Sequence, residues 1–301
     1  MPVAEWLEDV AGVVRDEPLH RHSQFGVGGP AQWFVRTRDE PALASLLQRC
    51  HEAGVPVTML GAGSNALILD AGVAGLVVRH DDRHMRVVDR ETVDVGSGCM
   101  MPRVALDCAR RGMGGLEFGI GVPGTLGASV YGNAGAFGTE LADVLRDCTA
   151  LGPAGTRHTL GNDECGFAYR HSRFKDELRG DVVVSARLRV HQDAPLAVRE
   201  RTDAVQAQRK ATQPYGVRSL GSVFKNPPGD TAGRLIEAAG MKGRRAGGAE
   251  ISRKHANFIV NVERASAADV LALVQMAHDT VLERCGIDLE REIVILGEPG
   301  R

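Results

Sequence analysis

The stretch Gly119-Ile120-Gly121-Val122-Pro123-Gly124-Thr125-Leu126-Gly127-Ala128-Ser129-Val130-Tyr131-Gly132-Asn133-Ala134-Gly135-Ala136 constrains this chain more than any other. Nearly every side chain in it is small, so the main chain there must approach another element or a ligand closely. Amides near Gly124 to Ser129 are suited to hold a diphosphate, at a short helix start where the dipole adds partial positive charge. Tight packing of a glycine-bearing helix on a sheet is the alternative. A second small-residue loop, Gly61-Ala62-Gly63-Ser64-Asn65-Ala66, fits the G-x-G-x-x-G/A pattern but not its context. A dinucleotide-binding unit opens a long helix at those glycines, whereas here Leu67-Ile68-Leu69 alternates into an Asp70-Ala71-Gly72 turn. What remains is a loop whose consecutive N–H groups face an anion, with Ser64 and Asn65 adding side-chain donors. Taken alone it reads first as a β-turn. Two such cradles on one domain suit an elongated cofactor better than they suit turns.

Length and charge narrow the class. The 301 residues are about twice the usual domain size, so two or three packed lobes are expected. Hydrophobic residues at 43%, charged residues at 25% and a net charge of -2 exclude a disordered chain, collagen and a polyanion-coating protein. Glu5, Glu8 and Asp9 stand where a secretory leader needs basic residues, and no apolar run approaches the roughly 18 residues of a membrane span. A cytoplasmic protein with no membrane and no nucleic-acid partner is the expectation. The six cysteines form no C-x-x-C pair and are read as reduced, and the His/Cys spacing offers no zinc-type metal site.

Periodicity predicts a strand at 31–37, a helix after an Asp39 cap that carries Leu43, Leu46, Leu47 and Cys50 on one face and stops at Gly54, and a strand at 55–60. Short strands follow at 66–69, 76–79, 85–89 and 92–95, then a helix at 102–111. In the strand 181–190, Val182, Val184, Ala186, Leu188 and Val190 are expected on one face and Val183, Ser185, Arg187 and Arg189 on the other. Val183 interrupts that polar face, as a plain surface valine or as a contact for a flat ligand. A solvated helix is predicted at 195–210. Beyond it come a strand at 256–262, a helix with Val270, Val274, Ala277, Val281 and Cys285 on one stripe, and a last strand at 293–296.

Four further strings stand beside the two cradles: Gly115-Leu116-Glu117-Phe118, Tyr169-Arg170-His171-Ser172-Arg173-Phe174, Gly221-Ser222-Val223-Phe224-Lys225-Asn226-Pro227 and His255-Ala256-Asn257-Phe258-Ile259-Val260-Asn261. In this order, from Phe25 to Gly297, the chain resembles the UDP-N-acetylenolpyruvoylglucosamine reductase family, whose members are also called UDP-N-acetylmuramate dehydrogenases. The short interval between Arg170 and Ser222 resembles the shorter family type, without the extra tyrosine-bearing loop.

The resemblance implies an α+β fold: a two-lobed FAD-binding domain of the vanillyl-alcohol oxidase type over 1–195, with lobes at about 18–80 and 81–195, and a substrate-binding domain over 196–301. It implies non-covalent FAD, NADPH as reductant, and reduction of the enolpyruvyl ether of UDP-N-acetylenolpyruvoylglucosamine to UDP-N-acetylmuramate in peptidoglycan precursor synthesis, with no obligate protein partner. Residues matching the flavin contacts are Leu60, Gly61, Ala62, Gly63, Ser64, Asn65 and Ala66, then Val122, Pro123, Gly124, Thr125, Gly127, Ala128, Ser129 and Asn133, with Val183. Tyr169, Lys225, Asn226 and His255 match substrate positions, and the basic run Lys242-Gly243-Arg244-Arg245 offers further charge to the nucleotide sugar.

Arg170 matches the catalytic arginine, a fixed cation whose planar fork suits a carboxylate. Ser222 matches the serine that protonates the carbanion, and Glu292 the glutamate of a C-terminal L-E-P-E-V motif. Arg291 replaces that motif's proline and Val294 its basic residue, with Glu290 a nearby rival to Glu292. The alternative is another flavin oxidoreductase or oxidase on the same scaffold. Such oxidases often tether flavin through His or Cys, and both cradles lack these residues.

Overall fold

The structure, a computed structural model, describes residues 5–297. Met1 to Ala4, at the chain start considered above, lie outside the described residues. The chain divides into two compact units, each woven from separated stretches. The first takes the stretch ending at Arg15, Trp33–Ala62 and Gly75–Arg209; the second takes Asp16–Gln32, Gly63–Ala74 and the stretch from Lys210 onward. Residues 196–209 thus group with the first unit.

In the first unit, α1 (Glu40–Glu52) begins where the Asp39 carboxylate accepts from the Ala42 amide, with Pro41 in the first turn. Leu43, Leu46, Leu47 and Cys50 recur every three or four residues and so share one buried face. They pack with Trp33, Val35, Leu76, Val78, Leu151, Val182 and Val184, and each fully buried leucine contributes about 1.5–3 kcal/mol of burial free energy. The strand after α1 is shorter than expected, Val57–Met59, and pairs in parallel with Val73–His80. Val73–His80 lies between it and Pro30–Thr37, with Val14–Pro18 at the far edge of the sheet.

A five-stranded sheet of antiparallel pairs orders Arg157–Gly161, Leu145–Leu151, Val182–Arg189, Thr92–Gly96 and Met85–Asp89. Here the even-numbered face expected for residues 182–190 is corrected. Thr149 pairs with Ser185 but Ala150 pairs with Val183, so Val184 is an extra, bulged residue. The alternation inverts across it. Val182 and Val184 pack with α1, whereas Val183 joins Ala186, Leu188 and Val190 in a second core. That core also takes Val104 and Cys108 of α2 (Met101–Arg110) and Leu126 and Val130 of α3 (Leu126–Gly132). The short α4 (Leu141–Val144) follows, and α5 (Pro195–Thr212) buries only Val198 and Thr202 among its described side chains, as its polar sequence requires.

In the second unit, α6 (Ala232–Ala238) and α7 (Ala267–Cys285) pack over a core that includes Phe25, Leu67, Phe224 and Ile259. Val270, Val274, Ala277 and Val281 form the buried stripe of α7, but Cys285 is exposed, because Gly286 at φ +67° ends the helix there. Asp70 caps α7 across the sequence, its carboxylate accepting from the amides of Ala267 at 2.9 Å and Ala268 at 3.2 Å. Val294–Leu296 pairs in parallel with Ala66–Ile68, so the last strand lies against the residues that follow the first glycine loop. Among the described residues, no helix is long and apolar enough to cross a membrane.

Candidate active site

The loop 61–66 turns its carbonyls one way. Those of Gly63, Ser64 and Asn65 accept from the amides of Gln24, Gly221 and Val294 at 3.1, 3.2 and 2.9 Å. Among the described residues, the amides of Gly61 to Asn65 donate to no main-chain carbonyl. A run of adjacent amides left on one side of the chain is an anion-binding concavity. Gly63 makes the geometry possible: its φ is +60°, and a Cβ would lie 2.4 Å from the His22 carbonyl oxygen.

Residues 122–129 supply fewer amides than their composition promises. Thr125 bridges to Met100 in antiparallel fashion, so that the Met101 amide donates to Gly124 and the Leu126 amide donates to Cys99. The Gly127 amide donates to Ser97 and the Ser129 amide to Thr125. Among the described residues, those of Gly124, Thr125 and Ala128 have no main-chain acceptor. Gly61 meets this segment within the first unit. A Cβ on Gly61 would lie 2.7 Å from Thr125 Oγ1 and 3.4 Å from the Ala128 Cβ, so the backbone at Gly61 runs directly over the start of α3.

The remaining residues matched to the flavin fall into two groups. Leu60, Ala66, Val122, Ser129 and Val183 are buried behind these segments, whereas Ala62, Ser64, Pro123 and Gly127 are partly exposed. Ser129 donates its hydroxyl to the Thr125 carbonyl. Asn133, fully buried at φ +43°, spends its side chain inside the protein: Nδ2 donates to the Ala168 carbonyl and Oδ1 accepts from the Ala142 amide.

That bond leads to Arg170. Ala168 and His171 exchange main-chain hydrogen bonds of 3.2 and 3.0 Å, which makes Tyr169 and Arg170 the middle of a tight turn. Arg170 sits at φ +57°, in the left-handed region that costs a non-glycine residue about 1–3 kcal/mol. Its Nη2 donates to the Gly135 carbonyl at 3.2 Å, and the guanidinium carbon stands 5.2 Å from the ring centre of Tyr169.

In the second unit, residues 220–224 run as an extended segment. The amides of Leu220, Gly221 and Val223 donate to Ile259, Ser64 and Asn257. Ser222, held from both sides and partly exposed, has no hydrogen-bond partner for its hydroxyl among the described residues. On the other edge the Glu292 amide donates to the Val223 carbonyl at 2.8 Å, and Asn65 Nδ2 donates to the Glu292 carbonyl at 3.1 Å. Ser64, Asn65, Ser222 and Glu292 are thereby stitched together.

Lys225 pairs with Glu290, the neighbour of Glu292 in sequence, at 2.6 Å. Asn226 accepts from the Ala232 amide at the start of α6. His255 is braced from its own string. Its Nδ1 accepts from the Asn257 amide at 3.2 Å, so the neutral ring carries its proton on Nε2. Burial, then the nearby Lys242, holds its pKa below the usual imidazole value. Asn257, within the last string quoted above, was not singled out by sequence. Its side chain both accepts from the Phe224 amide and donates to the Phe224 carbonyl, bracing the serine segment.

Residues 31–161 match a FAD binding domain model, and residues 213–296 match the model of the UDP-N-acetylenolpyruvoylglucosamine reductase C-terminal domain. The chain is 44% identical to UDP-N-acetylenolpyruvoylglucosamine reductase 2 of Symbiobacterium thermophilum, over 98% of this chain and 97% of that one. It is 42% identical to the reductase of Moorella thermoacetica, over 95% and 94%. The crystal structure of a UDP-N-acetylenolpyruvylglucosamine reductase from Thermus caldophilus superposes with a TM-score of 0.81 at 35% identity, covering 94% of this chain and 98% of that one.

Proposed function

Because the chain belongs to the UDP-N-acetylenolpyruvoylglucosamine reductase family, we propose that it reduces the enolpyruvyl ether of that nucleotide sugar with Ser222 as proton donor. It is an FAD-dependent, NADPH-consuming reductase of peptidoglycan precursor synthesis. Its fold is α+β, a FAD-binding domain of the vanillyl-alcohol oxidase type plus the family's C-terminal domain. We assign flavin binding to 1–195 and substrate binding to 196–301; the matched segments 31–161 and 213–296 fall on the two sides of that boundary. The reaction belongs to the cytoplasm and needs no nucleic acid, membrane or obligate protein partner.

The open amides of Gly61 and Ala62 and of Gly124, Thr125 and Ala128, joined where Gly61 passes over Thr125, fit the diphosphate of FAD. Held there, FAD would supply the hydride chemistry that links NADPH to the terminal carbon of the enolpyruvyl group. Negative charge then grows on the substrate carboxylate. Arg170 offers this charge a cation fixed in direction by its strained turn, the preorganisation that makes electrostatic stabilisation effective. Glu292 acts at the same carboxylate in a protonated or tightly paired form, since a bare carboxylate would repel the intermediate. Ser222 then gives up its proton. A hydroxyl is a weak acid, so the transfer relies on a strongly basic acceptor and on a fixed approach. Tyr169, Lys225, Asn226 and His255 bind the substrate, Lys225 with its charge already tempered by Glu290.

One observation carries the assignment: among the described residues the Ser222 hydroxyl has no partner of its own, while the main chain around it is tied at Leu220, Gly221 and Val223. The test is an anaerobic spectrum. NADPH should bleach the flavin, and the enolpyruvyl nucleotide sugar should restore its colour. A bleached enzyme that only oxygen recolours would mark an oxidase.

A further inference from the structure

We propose that Lys175 is a positioning residue for Arg170: its ammonium locks the left-handed turn that aims the guanidinium. The inference rests on the reading of Arg170 as the cation that meets the reacting carboxylate. A non-glycine residue at φ +57° stays there only if its surroundings over-determine it. The restraint is visible. Lys175 Nζ donates to the carbonyl of Arg170 itself at 2.7 Å, a charge-assisted bond made at the strained residue.

Lys175 is in turn held in place. It closes the 3-10 turn Arg173–Lys175, its amide donating to the Ser172 carbonyl at 3.0 Å. The Ser172 hydroxyl, in a fully buried residue, donates to the Tyr131 carbonyl at 2.7 Å, and Lys175 Nζ stands 5.5 Å from the Tyr131 ring centre. The Asn133 bond to Ala168 fixes the other side of the turn. All of these anchors lie at the C-terminal end of α3, the helix whose start carries Thr125 and Ala128 of the proposed diphosphate cradle. One helix therefore sets the direction of the guanidinium relative to the coenzyme, and Lys175 is its tie to the turn.

The test separates the two half-reactions in the FAD-loaded enzyme. Lys175→Met is expected to leave bleaching by NADPH within about twofold of the parent while slowing recolouring by the enolpyruvyl substrate roughly 10- to 100-fold, the range a misplacement near 1 Å produces. Lys175→Arg, which keeps both charge and donor, should restore most of the rate. If Lys175→Met loses its flavin, Lys175→Gln carries the same comparison with a smaller perturbation. Parent-like recolouring in the variant while Arg170→Ala recolours slowly overturns the role of Lys175, as does an equal slowing of both half-reactions. Parent-like recolouring in Arg170→Ala instead overturns the reading of Arg170 on which the inference stands.

Discussion

The side-chain amide of Asn65 donates to the main-chain carbonyl of Glu292 at 3.1 Å, across 227 positions of sequence. A residue of the anion-facing loop thus holds the segment that bears a proposed catalytic carboxyl. Asn65→Ala should lower stability by about 1 kcal/mol, the usual net value of one such bond. Asn65→Asp should cost more, because it sets a carboxylate oxygen against a carbonyl oxygen. Urea unfolding midpoints of the two variants give the order, and equal stability of all three proteins would refute it.

Glu290 and Glu292 should respond differently to neutralisation. Glu290→Gln removes a partner of Lys225, and with the Glu290 side chain 71% exposed the pair contributes little, so turnover should change less than about threefold. Glu292→Gln is expected to slow recolouring by the substrate on the order of 100-fold. Steady-state kinetics of both variants decide between the neighbours, and a larger defect in the Glu290 variant would reverse the assignment.

Ser222→Ala should let NADPH bleach the flavin at the parent rate and then stall, with recolouring by the substrate slowed about 10²- to 10⁴-fold, the usual share of a general acid. Stopped-flow absorbance follows both phases. Undiminished recolouring would remove Ser222 from the mechanism.

Two glycines of the same loop should differ in their tolerance of alanine. At Gly63 the new Cβ would meet the His22 carbonyl oxygen at 2.4 Å with φ at +60°, and main chain has nowhere to go, so Gly63→Ala should cost well over about 1 kcal/mol and release flavin. At Gly61 the obstacle is the Thr125 hydroxyl, which can rotate away. Gly61→Ala should therefore fold normally and bind flavin more weakly than the parent. Thermal unfolding and flavin retention on gel filtration check both.

His278 on α7 makes stability depend on pH. Its hydrogen bonds to Asp279 at 3.0 Å and Asp288 at 2.8 Å raise the imidazole pKa above the unfolded value. The folded state therefore holds the proton more tightly. The gain is complete below about pH 6.5, where the unfolded imidazole is also charged, and is lost as pH rises through the higher folded value. His278→Gln should be less stable than the parent at pH 5.5 and converge with it by pH 9. Denaturant titrations at the two pH values measure this, and a gap that widens with pH contradicts it.

Much of this architecture is legible in local sequence. Asp39, Pro41 and Gly54 bracket α1 because caps and stops act over a few residues, and Leu43 to Cys50 repeat at the helical period. Residues 182–190 defeat the same reasoning. Strict alternation predicts one apolar face, but the bulge at Val184 comes from pairing with Thr149 and Ala150, which nothing in the strand's own sequence announces. The α7 cap by Asp70 is hidden for the same reason, since donor and acceptor are 197 positions apart. At the site, composition marks the cradles without saying which amides face outward. The bridge of Thr125 to Met100 decides that, turning Leu126 and Gly127 inward. Lys175 passed unnoticed because a lysine after a matched string carries no signal until its ammonium is seen on the Arg170 carbonyl.

The second unit's weave governs the order in which this chain can mature. Its core needs Phe25 and Leu67 from early sequence and Leu289 and Ile293 from much later, and the strand Ala66–Ile68 finds its parallel mate only at Val294–Leu296. A nascent chain emerging from a ribosome must therefore keep those early apolar residues waiting, uncovered, until residues 289–296 have been made. Synthesis is therefore the stage at which these apolar residues stand open to aggregation or to a chaperone.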